Sequence, residues 1–205
     1  TQRTRDVRRN FEDNADLASS TDSELRESYQ ESIDHALSSL DIFQDNGNRP
    51  VSAYSLLRYL EGGGGHDIYD VEAMKGNIRF RSLYRSAVRS VKKYGGRVLS
   101  GEETSREYVE YNWKGKSGSV IFSDFGTTFG SFGLKYRAVI EKVSDSEISG
   151  TIYFTVADTY RWNPNVSATY ADIAGDHDKM LLLQDIGAKD FSIRGYFSTP
   201  FTISN

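Results

Sequence analysis

The chain has 205 residues, a net charge of −4 from 29 acidic and 25 basic residues, and no cysteine. The length suits one domain or one two-lobed domain. Hydrophobic residues at 38% and aromatics at 13% are enough to build a core, which excludes global disorder. Without cysteine, thiol nucleophiles, zinc–thiolate sites, iron–sulfur clusters and disulfides are excluded. Without a basic surplus, nothing points to nucleic acid. The one dense basic run, Arg3, Arg5, Arg8 and Arg9, reads as a solvated helix face or tail. No apolar run nears the roughly 20 residues of a membrane span. No signal peptide is visible, and a chain starting at Thr1 reads as a piece cut or processed from a longer polypeptide.

Residues 1–20 fit a helix or a linker. Thr21-Asp22-Ser23-Glu24 matches a capping box, and Leu25, Tyr29, Ile33, Leu37 and Leu40 then share one helical face. His35 lies beside that stripe and reads as structural. Asn46-Gly47-Asn48 stops this helix, and Pro50 suits the first turn of the next, which carries Leu56, Leu57 and Leu60 and ends in Gly62-Gly63-Gly64-Gly65. A third amphipathic helix is predicted over 78–93, with Ala87 and Val91 inward and Gly95-Gly96 after it. After about residue 104 the period changes to two. Val109, Tyr111 and Trp113 alternate with polar neighbours, Val120 and Phe122 follow a turn, and Phe132 to Ile140, Ile148 to Val156 and Phe191 to Ile203 continue the pattern. The expected fold class is α+β. A helical lobe at 1–103 (with 1–20 as the linker option) precedes an antiparallel β-sheet or half-barrel lobe at 104–205 that carries the site.

Three constellations carry chemistry. The first runs from Asp158, where an alternating strand ends, through Tyr160, Asn163, Asp172, Asp176, His177 and Asp178. Asp158, Asp172 and Asp176 offer hard oxygen ligands to a divalent cation, calcium or magnesium, and such an ion polarises phosphoryl oxygens and activates water. His177 suits proton transfer near neutral pH. The competing reading makes these aspartates turn-formers and caps, with Asp176 or Asp178 capping a helical segment at Lys179–Gln184; the spacing matches no EF-hand. The second constellation is Glu61-Gly62-Gly63-Gly64-Gly65-His66-Asp67. Its glycines allow close backbone approach to a ligand, or amides aimed at an anion, with His66 and Asp67 as a second element; the alternative is a helix stop and flexible hinge. No Gly-Lys-Ser/Thr follows, so it is not a Walker loop. The third is Lys189 at a strand entrance, a point charge for phosphate or a solvated lysine. The chain has neither a Gly-x-Ser-x-Gly elbow nor a His-Glu-x-x-His zinc motif.

The motifs Asp158-Thr-Tyr160-Arg-Trp-Asn163, Asp172-Ile-Ala-Gly175-Asp176 and Gly187-Ala-Lys189-Asp-Phe191 with Gly195 resemble the C-terminal toxin domains of bacterial secreted polymorphic toxins. So does the Tyr59–Asp67 stretch with its glycines. Within that group the chain is distantly similar to the colicin M-like and LXG-type lipid II phosphatases. Asp158 and Tyr160 match the first and third positions of their Asp-x-Tyr-Asp motif. Arg161 stands where those enzymes carry the second Asp, and Asp176-His177 stands in, at another spacing, for their His-Arg pair.

The resemblance implies a secreted antibacterial toxin or effector working in the periplasm or at the outer face of the target-cell membrane. Its partners would be a lipid-linked cell-wall precursor or the membrane surface, with an immunity protein by analogy. It implies metal-dependent pyrophosphate hydrolysis, with Asp158 and Asp176 on the metal, His177 moving a proton, and Lys189 or Arg161 holding phosphate. Two other readings compete. One is a toxin that disturbs membranes without catalysis, through Phe122–Phe132. The other is a calcium-dependent carbohydrate- or receptor-binding module whose Tyr- and Trp-rich sheet face stacks on sugars.

Overall fold

The helices follow from caps and stripes. In the computed structural model, which describes residues 1–45, 50–72, 75, 78–95, 103–112, 128, 131–162 and 177–204, the first helix α1 spans Gln2–Ala18. The Thr1 hydroxyl accepts from the Thr4 amide at its start. Val7, Phe11 and Ala15, one turn apart, are its buried face. The basic run is indeed a helix face: Arg8 pairs with Asp34 at 2.9 Å and Glu12 at 3.3 Å, and Arg3 pairs with Glu61. These exposed pairs contribute orientation more than stability. Helix α2 spans Ser23–Asp45. Its cap is Asp22 rather than Thr21: Asp22 Oδ1 accepts from the Glu24 and Leu25 amides at 3.1 and 3.0 Å. The correction has a simple cause, since the helix starts one residue later than a Thr21 cap requires, and the Asp22 carboxylate then faces the free N2 and N3 amides. Tyr29, Ile33, Leu37 and Leu40 are buried along α2 as the stripe requires. Helix α3, Pro50–Leu60, begins on its proline. The stop signal at 46–48 lies outside the described residues.

The fold is α+β. A short strand β1 (His66–Tyr69) follows α3, then helix α4 (Ile78–Gly95) and strands β2 (Glu103–Asn112), β3 (Ser131–Val143) and β4 (Glu147–Tyr160). A one-and-a-half-turn helix α5 (His177–Leu182) runs into a 3₁₀ turn at Leu183–Ile186, and β5 (Phe191–Ser204) closes the described chain. The sheet order is β1-β5-β4-β3-β2, with β2–β3 and β3–β4 antiparallel. Strand β1 falls inside the stretch 1–103 expected as a helical lobe: four residues without β-branched enrichment give no alternation to read, and pairing at the sheet edge makes the strand. The strand expected at Val120 and Phe122 and most of the Phe122–Phe132 stretch lie outside the described residues. No described helix is long and apolar enough to cross a membrane.

The chain forms two compact units that interleave along the sequence. The first comprises Thr1–Gly65, Trp113–Gly130 and Thr159–Ser192; the second comprises His66–Asn112, Ser131–Asp158 and Ile193–Asn205. In the first, α1 packs on α2, and α2 on α3 and α5. In the second, the inner face of the sheet buries Phe132, Tyr136, Ala138 and Ile140 of β3, Ile148, Ile152, Phe154 and Val156 of β4, and Ile193, Phe197, Phe201 and Ile203 of β5. Phe154 stacks on Phe197 with centroids 4.9 Å apart. Helix α4 buries Ala87 and Val91 and packs on β2 and β3, and its Tyr84 hydroxyl donates to the Pro200 carbonyl at 2.9 Å. The ladder of β3 and β4 slips between Ile140 and Lys142, and Gly150 sits opposite. A Cβ on Gly150 would lie 2.1 Å from the Val139 carbonyl oxygen, so only glycine lets the strands close there.

Candidate functional site

In the first unit, two of the sequence motifs meet. The glycines after α3 lie against the Gly187–Asp190 loop that enters β5. The Lys189 amide donates to the Tyr59 carbonyl at 3.1 Å, the Gly64 amide to the Asp190 carbonyl at 3.0 Å, and the Ser192 amide to the Gly65 carbonyl at 3.1 Å. The Gly62 and Gly63 amides donate to the Tyr59 and Arg58 carbonyls, capping α3. A Cβ on Gly63 would sit 2.1 Å from the Lys189 carbonyl oxygen. The amides of Gly62, Gly63 and Gly64 are thus engaged by backbone carbonyls. The helix stop read from these glycines is therefore present, and the close approach they allow is to the Gly187–Asp190 backbone rather than, at these three amides, to an anion.

Around that junction an aromatic cluster forms. Tyr59, fully buried, lies 6.0 Å from Tyr160 and 6.4 Å from Trp162 between ring centroids. Tyr160 stacks on Phe191 at 5.3 Å and meets Trp162 edge-on at 6.1 Å. His177, the first residue of α5, packs edge-on against Trp162 at 4.9 Å. The Arg58 guanidinium lies over Phe191, 5.9 Å from its centroid. Among the described residues, Trp162 Nε1 is a buried polar atom with no hydrogen-bond partner. Such a donor costs free energy unless a water or a ligand accepts from it.

A polar network crosses the cluster. The Tyr59 hydroxyl donates to the Met180 carbonyl at 2.8 Å and accepts from the Gln184 amide, whose Nε2 also donates to Asp190 Oδ1 at 2.9 Å. Burial pushes the Tyr59 phenol well above its ordinary value, so it remains a donor at any physiological pH. Tyr59→Phe leaves the Met180 carbonyl without this donor and is expected to cost about 1–2 kcal/mol in chemical denaturation. Desolvation also raises the Asp190 carboxyl above its ordinary 3.8, outweighing the Arg161 charge and the Gln184 hydrogen bond that pull it down. A raised carboxyl binds more protons folded than unfolded, so its stabilising contribution is complete below the ordinary value and is lost as pH rises through the raised one. Asp190→Asn should flatten the melting temperature against pH on the alkaline side of 3.8, seen in thermal melts across that range.

The structure distributes the predicted site residues as follows. Asp158 stands in the second unit, on the β4 face otherwise occupied by the buried Ile152, Phe154 and Val156, and is itself half-buried. In the first unit, Tyr160 and His177 are joined through Trp162, while Arg161 is exposed and acts on Asp190. Lys189 is exposed, beside Asp190. His66 and Asp67 lie on β1 in the second unit. Asp178 sits exposed within the first turn of α5. Asp172 and Asp176, assigned to the cation with Asp158, lie outside the described residues. Among the described residues no three His, Asp or Glu side chains converge as a metal requires. Sequence reading gave no role to Tyr59, Trp162, Gln184 or Asp190. Tyr59 and Trp162 lay inside the quoted motifs, but the contacts that join them come from segments far apart in the chain.

No protein-family model matches the chain, and no curated protein does. Solved structures that align with the chain include syringacin M, a bacteriocin of Pseudomonas syringae pv. tomato DC3000, at 17% identity and a TM-score of 0.43, covering 75% of this chain and 52% of that one. PaeM, a colicin M-like bacteriocin produced by Pseudomonas aeruginosa, aligns at 18% identity and 0.42, covering 76% and 50%. Pectocin M2 aligns at 16% and 0.46, covering 84% and 63%. The chain spans about half the length of the first two. Scores and identities this low do not assign the chain to their group.

Proposed function

We propose that this chain is an antibacterial toxin domain acting at the cell envelope by divalent-cation-dependent hydrolysis of a lipid-linked pyrophosphate. The observation that carries the reading is Asp158 in its motif: a half-buried carboxylate on the core face of β4, two residues before Tyr160, where the strand ends. A rigid strand holding a carboxylate at its end is a common way to fix a reactive group beside a loop. Within the first unit, the aromatic cluster around Trp162, with His177 on its edge and an unmet indole donor, is independent support for a binding role of the motif residues that follow β4.

In this reading the carboxylates that would hold a calcium or magnesium ion are those the motif offers, Asp158, Asp172 and Asp176. Such an ion would polarise a phosphoryl oxygen and lower the pKa of water. His177 takes the proton of the attacking water. Arg161 and Lys189, both exposed, neutralise phosphate charge, Arg161 with a fork that two oxygens can fill. Tyr160, packed against Phe191 and Trp162, positions the end of β4 rather than meeting solvent. The site would act on a substrate presented at the outer face of the membrane, and an immunity protein would protect the producer.

The test is expression in bacteria with and without an export signal. Killing confined to the exported form, with undecaprenyl-linked precursors consumed, is the expected result. Killing from the cytoplasm, or none in either compartment, would overturn it; the latter would favour a binding module.

A further inference from the structure

Among the described residues of the second unit, the outward-facing side chains of β3, β4 and β5 are used by neither the core nor the proposed chemistry. Alternation along β3, β4 and β5 turns Lys135, Arg137, Tyr153, Arg194 and Tyr196 outward, all exposed. Tyr153 and Tyr196 are 40% and 56% exposed, and Ile68 on the edge strand β1 is 70% exposed. Large apolar and aromatic side chains left this open on one sheet face mark a contact surface. Arg137 and Tyr153 are register partners on adjacent strands, with the guanidinium 4.8 Å from the ring centroid. That stack holds the ring and the charge side by side at low entropic cost. The acidic Glu141 and Glu147 lie toward the Ser144–Ser146 turn, and Glu141 accepts from the Thr151 hydroxyl at 3.0 Å. The cations on this face contrast with the chain's overall net charge of −4.

We infer that this face docks onto an anionic phospholipid surface. Tyrosine rings with a polar tip and an apolar body settle at the headgroup level. Lysine and arginine beside them meet lipid phosphates, and their long stems let the charges reach outward. Charge complementarity and the amphipathic character of the exposed rings favour a lipid surface over an acidic protein, whose interface would bury a packed apolar centre. The inference takes its membrane from the envelope reading above. Docking would hold the domain where a lipid-linked substrate is presented, turning a three-dimensional search into a two-dimensional one.

The test is sedimentation of the intact chain with vesicles of phosphatidylcholine alone and of phosphatidylcholine with 30% phosphatidylglycerol (about one anionic lipid in three, enough for a marked surface potential). Wild type should bind the anionic vesicles and not the neutral ones, with binding falling as salt rises. Arg137→Gln with Arg194→Gln should weaken it about thirtyfold, at roughly tenfold per 1.4 kcal/mol and about 1 kcal/mol per basic residue. Tyr153→Ser with Tyr196→Ser should weaken it without changing its salt dependence. All four positions are exposed, so circular dichroism should be unchanged in both variants. No binding of wild type, equal binding to neutral vesicles, or full binding by the arginine variant would overturn the inference. Asp158→Ala should bind vesicles like wild type. Lost killing in that variant with vesicle binding absent throughout would leave the envelope reading standing and the docking face refuted.

Discussion

Asp158→Ala is expected to abolish killing by the exported chain, about 10³-fold or more in the dose needed, while leaving the fold intact. Asp158 stands on the face of β4 that elsewhere carries Ile152, Phe154 and Val156, so an alanine keeps the strand's pattern; the melting temperature should fall by the equivalent of about 1–3 kcal/mol as the carboxylate's contact is lost, without loss of the fold. A carboxylate that holds a cation has no substitute in a methyl group, so activity falls even though the strand persists. Asp158→Asn sharpens the test, since it keeps shape and removes charge. Killing retained in both variants would remove Asp158 from the chemistry and favour the membrane-disturbing alternative.

Gly63→Ala is expected to be among the most damaging single-methyl changes in the chain. The added Cβ would fall 2.1 Å from the Lys189 carbonyl oxygen and 3.1 Å from that of Asp190, on a backbone pinned by the Lys189 amide donating to the Tyr59 carbonyl and the Asp190 carbonyl accepting from the Gly64 amide. Neither can swing away as a side-chain tip would, so the junction must open. The cost is about 3 kcal/mol, the upper part of the range for overpacking. For a chain of this size that is about 6–12 °C in melting temperature. Because the same junction supports Tyr59, Gln184 and Asp190, the variant should also lose near-ultraviolet aromatic signal. A melting temperature within 2 °C of wild type, on the same scale of about 2–4 °C per kcal/mol, would mean that the backbone approach is not what selects glycine at this position.

Periodic features were legible from the residues alone. The stripe of Tyr29, Ile33, Leu37 and Leu40 specified α2, and Phe191, Ile193, Phe197, Phe201 and Ile203 specified the inner face of β5, because one face of each is buried and the repeat shows it. Local chemistry was legible to within a residue: a cap was expected at Thr21 and sits on Asp22. Strand β1 was not legible, because His66-Asp67-Ile68-Tyr69 is too short to carry an alternation and owes its state to its place at the sheet edge. The glycine tetrad showed that something close approaches; that the partner is the Gly187–Asp190 backbone is a tertiary fact with no local trace. The same holds for the site. Residues with a familiar spacing, Asp158 and Tyr160, stood out, whereas the Tyr59–Gln184–Asp190 network joins side chains from separate segments and leaves no period to read. Asp172 and Asp176 lie outside the described residues, and their assignment to a cation with Asp158 is a proposal read from the motif.

The central claim is the bond that is cut. The most direct measurement incubates the purified chain with a lipid-linked cell-wall precursor in detergent, with magnesium or calcium and with chelator, and follows release of the water-soluble pyrophosphorylated or phosphorylated head group. The account predicts release that requires the cation, is lost in Asp158→Ala, and falls in Arg161→Gln. An intact precursor with either cation, under conditions where the same preparation kills when exported, would contradict it.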